Sequence, residues 1–253
     1  MKLFVFENPE KLGLAAAKSI ASKLRSALDK IDTVNLLLST GASQFSTLEA
    51  LIKEDVDYSR IVMYHLDEYV GISPQHSASF CKYLKERFVD RVPLKDAVYI
   101  NGEGNAIDVV ARLNNEFKKI EIDVGVIGIG ENGHIAFNDP PADFGIQDAY
   151  HIVTLDDACK RQQVREGWFS AIHEVPNQAI SITCAQIMRC KAIVSPVPYA
   201  VKAQAISNML ATIKPTSSIP SSLLLNHPDV ALFLDKESVS LTKKTVLDRF
   251  YIL

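Results

Sequence analysis

Short apolar runs alternate with stretches of helical period along most of this chain. Met1-Lys2-Leu3-Phe4-Val5-Phe6 is an apolar run that stops at Glu7-Asn8-Pro9-Glu10. It is shorter than a secretory leader and lacks a small-residue cleavage site, so it predicts a first strand. Asn8-Pro9 predicts a helix start, with Asn8 as N-cap and proline in the first helical position. Apolar residues at helical spacing then run to about Lys30 through Leu14, Ile20, Leu24 and Leu28. Val34-Asn35-Leu36-Leu37-Leu38 is a continuous apolar run, as in a strand covered on both faces. Further helices are predicted over 45–53, 77–89 and 106–119, and further strands over 61–66 and 124–129. Beyond a proline-bearing loop, strands are predicted near Ile152, Ile180, Ile193 and Val230, with helical pieces at 161–169 and 200–210. This alternation predicts an α/β fold, a mostly parallel sheet with helices on both faces. No linker, repeat or charge block divides the chain, so residues 1–253 read as a single domain.

Composition changes this picture little. Apolar residues make up 47% and charged residues 23%, enough for a large core. A net charge of −3 argues against a nucleic-acid binder, which would carry a basic excess or stripe. No apolar stretch reaches the ~18 residues of a membrane span. Cys81, Cys159, Cys184 and Cys190 form no C-x-x-C pair, and read as reduced thiols of a cytoplasmic protein.

In parallel sheets ligands gather at the carboxyl ends of strands, so the residues just after each strand carry the candidate chemistry. Ser39-Thr40-Gly41-Ala42-Ser43 leads from a strand into a helix through small and hydroxyl residues, which suits a phosphate or an ordinary turn. It lacks the lysine of a nucleotide-triphosphate loop. Asp67-Glu68 places two carboxylates at a strand end. If strand geometry persists they face opposite ways, so only one can enter a given cleft, where it could shuttle a proton. Gly128, Gly130 and Gly133 have dinucleotide-loop spacing, but Pro140-Pro141 arrives too soon for the helix that such a loop requires. These glycines instead predict close approach of the backbone to a sugar or phosphate. Beyond them stand His134 and Asp139, a proton-exchanging pair, with no His-x-x-x-His or cysteine cluster to indicate a metal.

These segments together resemble the glucosamine-6-phosphate deaminases, also called isomerases. Asp67-Glu68-Tyr69-Val70-Gly71 resembles the family's D-E-Y-V-G segment. Gly130-Glu131-Asn132-Gly133-His134-Ile135-Ala136-Phe137-Asn138-Asp139-Pro140 resembles its G-x-[DN]-G-H-I-[AG]-F-N-E-P signature. Ser39-Thr40-Gly41-Ala42-Ser43 is similar to its phosphate loop, and Ile219-Pro220-Ser221-Ser222-Leu223 with His227 to a late family pattern. The matches fall in family order from about residue 35 to 235. The resemblance implies a Rossmann-like fold, no cofactor, and conversion of glucosamine 6-phosphate and water to fructose 6-phosphate and ammonia. It implies that Asp67 moves the C2 proton to C1, and that His134 opens the sugar ring with Asn132 and Asp139 positioning it. Phosphate would rest on Thr40, Gly41, Ala42 and Ser43, with Lys202 and Arg165 as cationic partners.

Two departures bear on substrate. Asn132 stands where many members carry Asp, and Asp139 is one methylene shorter than the family's glutamate, so its reach to His134 needs an inward backbone or a bridging water. The segment 161–169 around Arg165 diverges from the family in composition and length. The alternatives are a galactosamine-6-phosphate isomerase, a 6-phosphogluconolactonase and a non-catalytic sugar-phosphate sensor. The partner in each case is a small sugar phosphate, with no nucleic acid or membrane, and a homo-oligomer is left open.

Overall fold

Asn8 caps the first helix as its sequence predicts. In the computed structural model, which describes residues 1–250, its side chain accepts from the Lys11 amide at 2.9 Å and Pro9 opens the helix Pro9–Leu28. The buried stripe of that helix is Leu12, Ala16, Ala17, Ile20, Ala21, Leu24 and Leu28. Leu14, expected on this stripe, is 54% exposed. It stands six residues before Ile20, about 240° around the helix, whereas Ile20, Leu24 and Leu28 repeat every fourth residue.

The described residues form ten strands, in chain order β1 (Lys2–Phe6), β2 (Val34–Leu38), β3 (Ile61–His65), β4 (Asp67–Tyr69) and β5 (Asp96–Val98), then β6 (Val124–Val126), β7 (Tyr150–Thr154), β8 (Gln178–Ile182), β9 (Ala192–Val197) and β10 (Val230–Asp235). Seven form one parallel sheet in the order β1-β10-β9-β6-β2-β3-β5. Alternate residues of its strands feed separate cores: Leu37, Ile193 and Leu232 face one side, Leu36, Leu38 and Phe233 the other. Helices cover both faces. Pro9–Leu28, Phe45–Leu51 and Phe80–Arg87 lie on one, and Ala106–Phe117, Cys184–Met188 and Ala203–Ala211 on the other.

The strands near Ile152 and Ile180 do not join this sheet. They pair with each other and with β4 in a separate antiparallel sheet, order β4-β8-β7. The chain leaves β3 at His65, turns at Leu66, and enters the second sheet at Asp67. A third apolar cluster, including Tyr69, Phe80, Phe137 and Phe169, packs beside the small sheet. The strand predicted over 124–129 is regular only to Val126, although the Ile127 amide still donates to the Val194 carbonyl at 3.0 Å. The helix predicted over 161–169 begins earlier, at Asp157, because Asp156 caps it by accepting from the Cys159 amide. Among the described residues no helix is long and apolar enough to cross a membrane.

Candidate active site

A cleft of about 890 Å³, open to solvent, lies across the carboxyl ends of β2, β3, β6 and β9. Asp67 stands in its wall, 5% exposed, with Oδ1 lacking any hydrogen-bond partner among the described residues. Burial, and then the negative charge of Glu68, push its carboxyl up to about 8. The alternation expected of the pair holds. Asp67 lines the cleft, while Glu68 turns to the helix Phe80–Arg87 and accepts from the amides of Tyr69, Phe80 and Cys81 and from the Ser79 hydroxyl. Glu68 thus ties β4 to the start of that helix. His65, Glu68 and Cys81 also come together behind the strand, but these four donors already engage both oxygens of Glu68.

His134 lines the same cleft. Gly133 turns the chain at φ 86°, and the Gly130 amide donates to the His134 carbonyl at 2.9 Å. This folds the imidazole back over Gly130, where an added Cβ would lie 2.2 Å from the ring. Gly130 is therefore required by the histidine, a reason that the spacing did not reveal. Asp139 reaches His134 despite its shorter side chain, with Oδ1 2.9 Å from Nδ1. The contact is an ion-pair approach rather than an aligned hydrogen bond. Asn132 couples the two: its Nδ2 donates to Asp139 Oδ1 at 2.8 Å and its Oδ1 accepts from the His134 amide at 3.1 Å. Burial opposes charge on Asp139, but the close approach and charge of His134, with the hydrogen bond from Asn132, bring its carboxyl down to about 2. Asn132 and Asp139 stand behind His134, outside the cleft wall. No helix follows Gly133, and the late segment supports the turn through the Ser221 amide, which donates to the Gly133 carbonyl at 2.9 Å.

At the other end, Thr40, Gly41, Ala42 and Ser43 line the cleft with Lys202. Gly41 has φ 102°, and the amides of Gly41, Ala42 and Ser43 make no hydrogen bond within the described protein. Lys202 is 7% exposed and pairs with no carboxylate among the described residues. Burial lowers its ammonium from the ordinary value. A lysine left buried and unpaired beside free amides fits an anion supplied from outside. Arg165, expected as a second cation here, is not in the cleft wall. It sits at the rim with its guanidinium bound by Glu131.

Several lining residues carried no sequence signal: Glu131, Gln162, Gln163, Glu166, Trp168 and Tyr199. Tyr199 has φ 82° and Ala136 φ 51°, the left-handed region that non-glycine residues avoid, and both line the cleft. The Tyr199 amide is held by Asp235 Oδ2 at 3.0 Å, which sets the turn leading to Lys202.

Residues 7–232 match the family model described as glucosamine-6-phosphate isomerases/6-phosphogluconolactonase. The chain is 32% identical over 241 residues to a glucosamine-6-phosphate deaminase of Streptococcus thermophilus, covering 95% of this chain and 99% of that protein. It is likewise 32% identical over 245 residues to one of Streptococcus pneumoniae, covering 96% and 100%. Among solved structures, a monomeric glucosamine-6-phosphate deaminase superposes with TM-score 0.87 at 27% identity, covering 95% of this chain and all of that one. A 6-phosphogluconolactonase of Thermotoga maritima shares the fold at TM-score 0.77 and 13% identity, covering 93% and 99%.

Proposed function

Since this chain belongs to the glucosamine-6-phosphate isomerase/6-phosphogluconolactonase family, we propose that it converts glucosamine 6-phosphate and water to fructose 6-phosphate and ammonia. The carrying observation is an unpartnered, buried Asp67 carboxyl in one cleft with the His134–Asp139 pair and with Lys202. A lactonase needs to activate water at a single carbonyl. Moving hydrogen between adjacent carbons needs one carboxylate that takes a proton and returns it, free of competing protein donors.

The phosphate on C6 rests on the amides of Gly41, Ala42 and Ser43, the hydroxyls of Thr40 and Ser43, and Lys202. His134 exchanges protons with the ring oxygen and the C1 hydroxyl, opening the ring to the aldehyde. Asp139 supports its charged form, and Asn132 holds the pair in place. Asp67 removes the proton from C2, leaving an enolamine, and delivers it to C1. The resulting C2 imine takes up water and releases ammonia. The C1 carbonyl, its oxygen protonated, takes up the electron pair as the C2 proton leaves. The nitrogen lone pair then forms the C2 imine as C1 is protonated, so the chemistry runs on the sugar itself. A substrate ammonium beside Asp67 favours its ionised form, offsetting the burial that holds it protonated in the empty cleft.

Ammonia release tests the reading. Purified protein mixed with glucosamine 6-phosphate should yield ammonia and fructose 6-phosphate in equal amounts, faster than with galactosamine 6-phosphate. Hydrolysis of 6-phosphogluconolactone without ammonia from either amino sugar would assign the chain to the lactonase side of the family. Tight sugar-phosphate binding without turnover of any of them would make it a sensor.

A further inference from the structure

Tyr69 is fully buried against the rings of Phe80, Phe137 and Phe169, and its phenol makes one hydrogen bond among the described residues. It donates to Gln163 Oε1 at 2.7 Å. Tyr69 follows Asp67 by two positions on β4, so the two side chains leave the same face of the strand. The strand that presents Asp67 therefore also fixes the amide of Gln163.

Gln163 lines the cleft at 5% exposure. With Oε1 occupied by the phenol, its amide presents a donor. Nε2 has no partner among the described residues and is not sealed from solvent, so it opens on the cleft. Its polar neighbours are engaged elsewhere. Gln162 Nε2 donates to Glu166 Oε1 at 2.8 Å, and Glu131 holds Arg165. Gln163 is thus a uniquely oriented donor on the wall formed by the segment that diverges from the family.

We propose that Gln163, positioned by Tyr69, reads the hydroxyl at C4 of the sugar phosphate and sets the preference between C4 epimers. This rests on the reading above, in which Asp67 engages C1 and C2 while Lys202 and the 40–43 loop hold the phosphate on C6. The C3 and C4 hydroxyls then lie between those fixed ends. C3 is common to glucosamine and galactosamine 6-phosphates, so discrimination must come at C4. A hydroxyl on the correct ring face accepts from Nε2. On the other face it leaves a largely buried N–H unpaired, the kind of mismatch that separates related substrates strongly.

The test is kcat/KM for both epimers in wild type, Gln163→Leu, Gln163→Glu and Tyr69→Phe, with melting temperature as the folding control. Wild type should prefer one epimer, and Gln163→Leu should cut kcat/KM for that epimer roughly 10- to 100-fold while changing the other by less than about 3-fold. Gln163→Glu, whose carboxylate can accept from the same hydroxyl, should retain more of the preference than Gln163→Leu. Tyr69→Phe should shift the ratio in the same direction by a smaller factor, whereas a merely structural role would lower both epimers alike. Equal losses on both, an unchanged ratio, or a wild type indifferent to C4 would overturn the assignment. If wild type releases ammonia from neither epimer, the reaction itself is wrong and the assignment falls with it.

Discussion

Asp67 is where burial and chemistry conflict most openly, because a carboxylate with a free Oδ1 is placed where water is largely excluded. Asp67→Asn should lower kcat by roughly 1,000-fold or more while leaving sugar-phosphate binding, measured by calorimetry, near wild type. The folded carboxyl near 8 lies above the ordinary 3.8, so an unfolded chain ionises first as pH rises. The stability this residue contributes is whole below about pH 4 and is lost progressively toward pH 8. Asp67→Asn removes that loss, and its melting temperature should exceed wild type at pH 8 but not at pH 4. In wild type, kcat/KM should climb through the region near pH 8 as the empty site ionises, and the variant should lack that limb. Asp139 has the opposite sign. Its folded value near 2 lies below the ordinary 3.8, so its contribution is present above about pH 4 and fades as pH falls toward 2. Asp139→Asn should therefore destabilise more at pH 7 than at pH 3. It should also cost roughly 10- to 100-fold in kcat/KM, because His134 loses the charge that supports it.

Single elements here carry several duties. β4 presents Asp67 to the cleft, anchors Glu68 to the next helix and fixes Gln163 through Tyr69. The glycine turn works similarly, since Gly130 makes room for the ring of His134. Gly130→Ala should displace that ring and lower kcat by about 100-fold. Far-ultraviolet circular dichroism should stay unchanged, because the turn lies outside helices and strands. Such elements also show what a sequence discloses. Asp67 and the Thr40–Ser43 segment were legible because each follows its strand directly, and His134 because a run of glycines leads to it in local order. The second sheet was not legible. Runs around Ile152 and Ile180 look alike whether they pair parallel or antiparallel, and no local pattern shows that β8 pairs with β4 rather than with the large sheet. Gln163 was hidden for a related reason, as its orientation comes from a tyrosine 94 residues away. Arg165 stands at the rim because its partner Glu131, 34 residues off, engages it there, a pairing that no local pattern shows.

At the scale of the molecule, the cleft gathers unsatisfied groups from distant parts of the chain: free amides after β2, Asp67 after β3 and Lys202 after β9. Burying Asp67 and Lys202 is costly in the empty protein, and a phosphorylated amino sugar would pair with both and with the amides. Binding should therefore stabilise the whole fold. A non-reacting analogue, such as an amino-alditol 6-phosphate, at 100 times its Kd adds about 2.7 kcal/mol. For a chain of this size that amounts to roughly 5–10 °C in melting temperature. Lys202→Met should behave differently from the other variants. Removing an unpaired buried ammonium relieves a cost, so the empty variant should melt no lower than wild type, yet the analogue's shift should nearly vanish at the same concentration. Inorganic phosphate should reproduce part of the wild-type shift and none of it in the variant. A full analogue shift in Lys202→Met would place the phosphate elsewhere in the cleft, and would leave the burial of this lysine to be explained by some other anion.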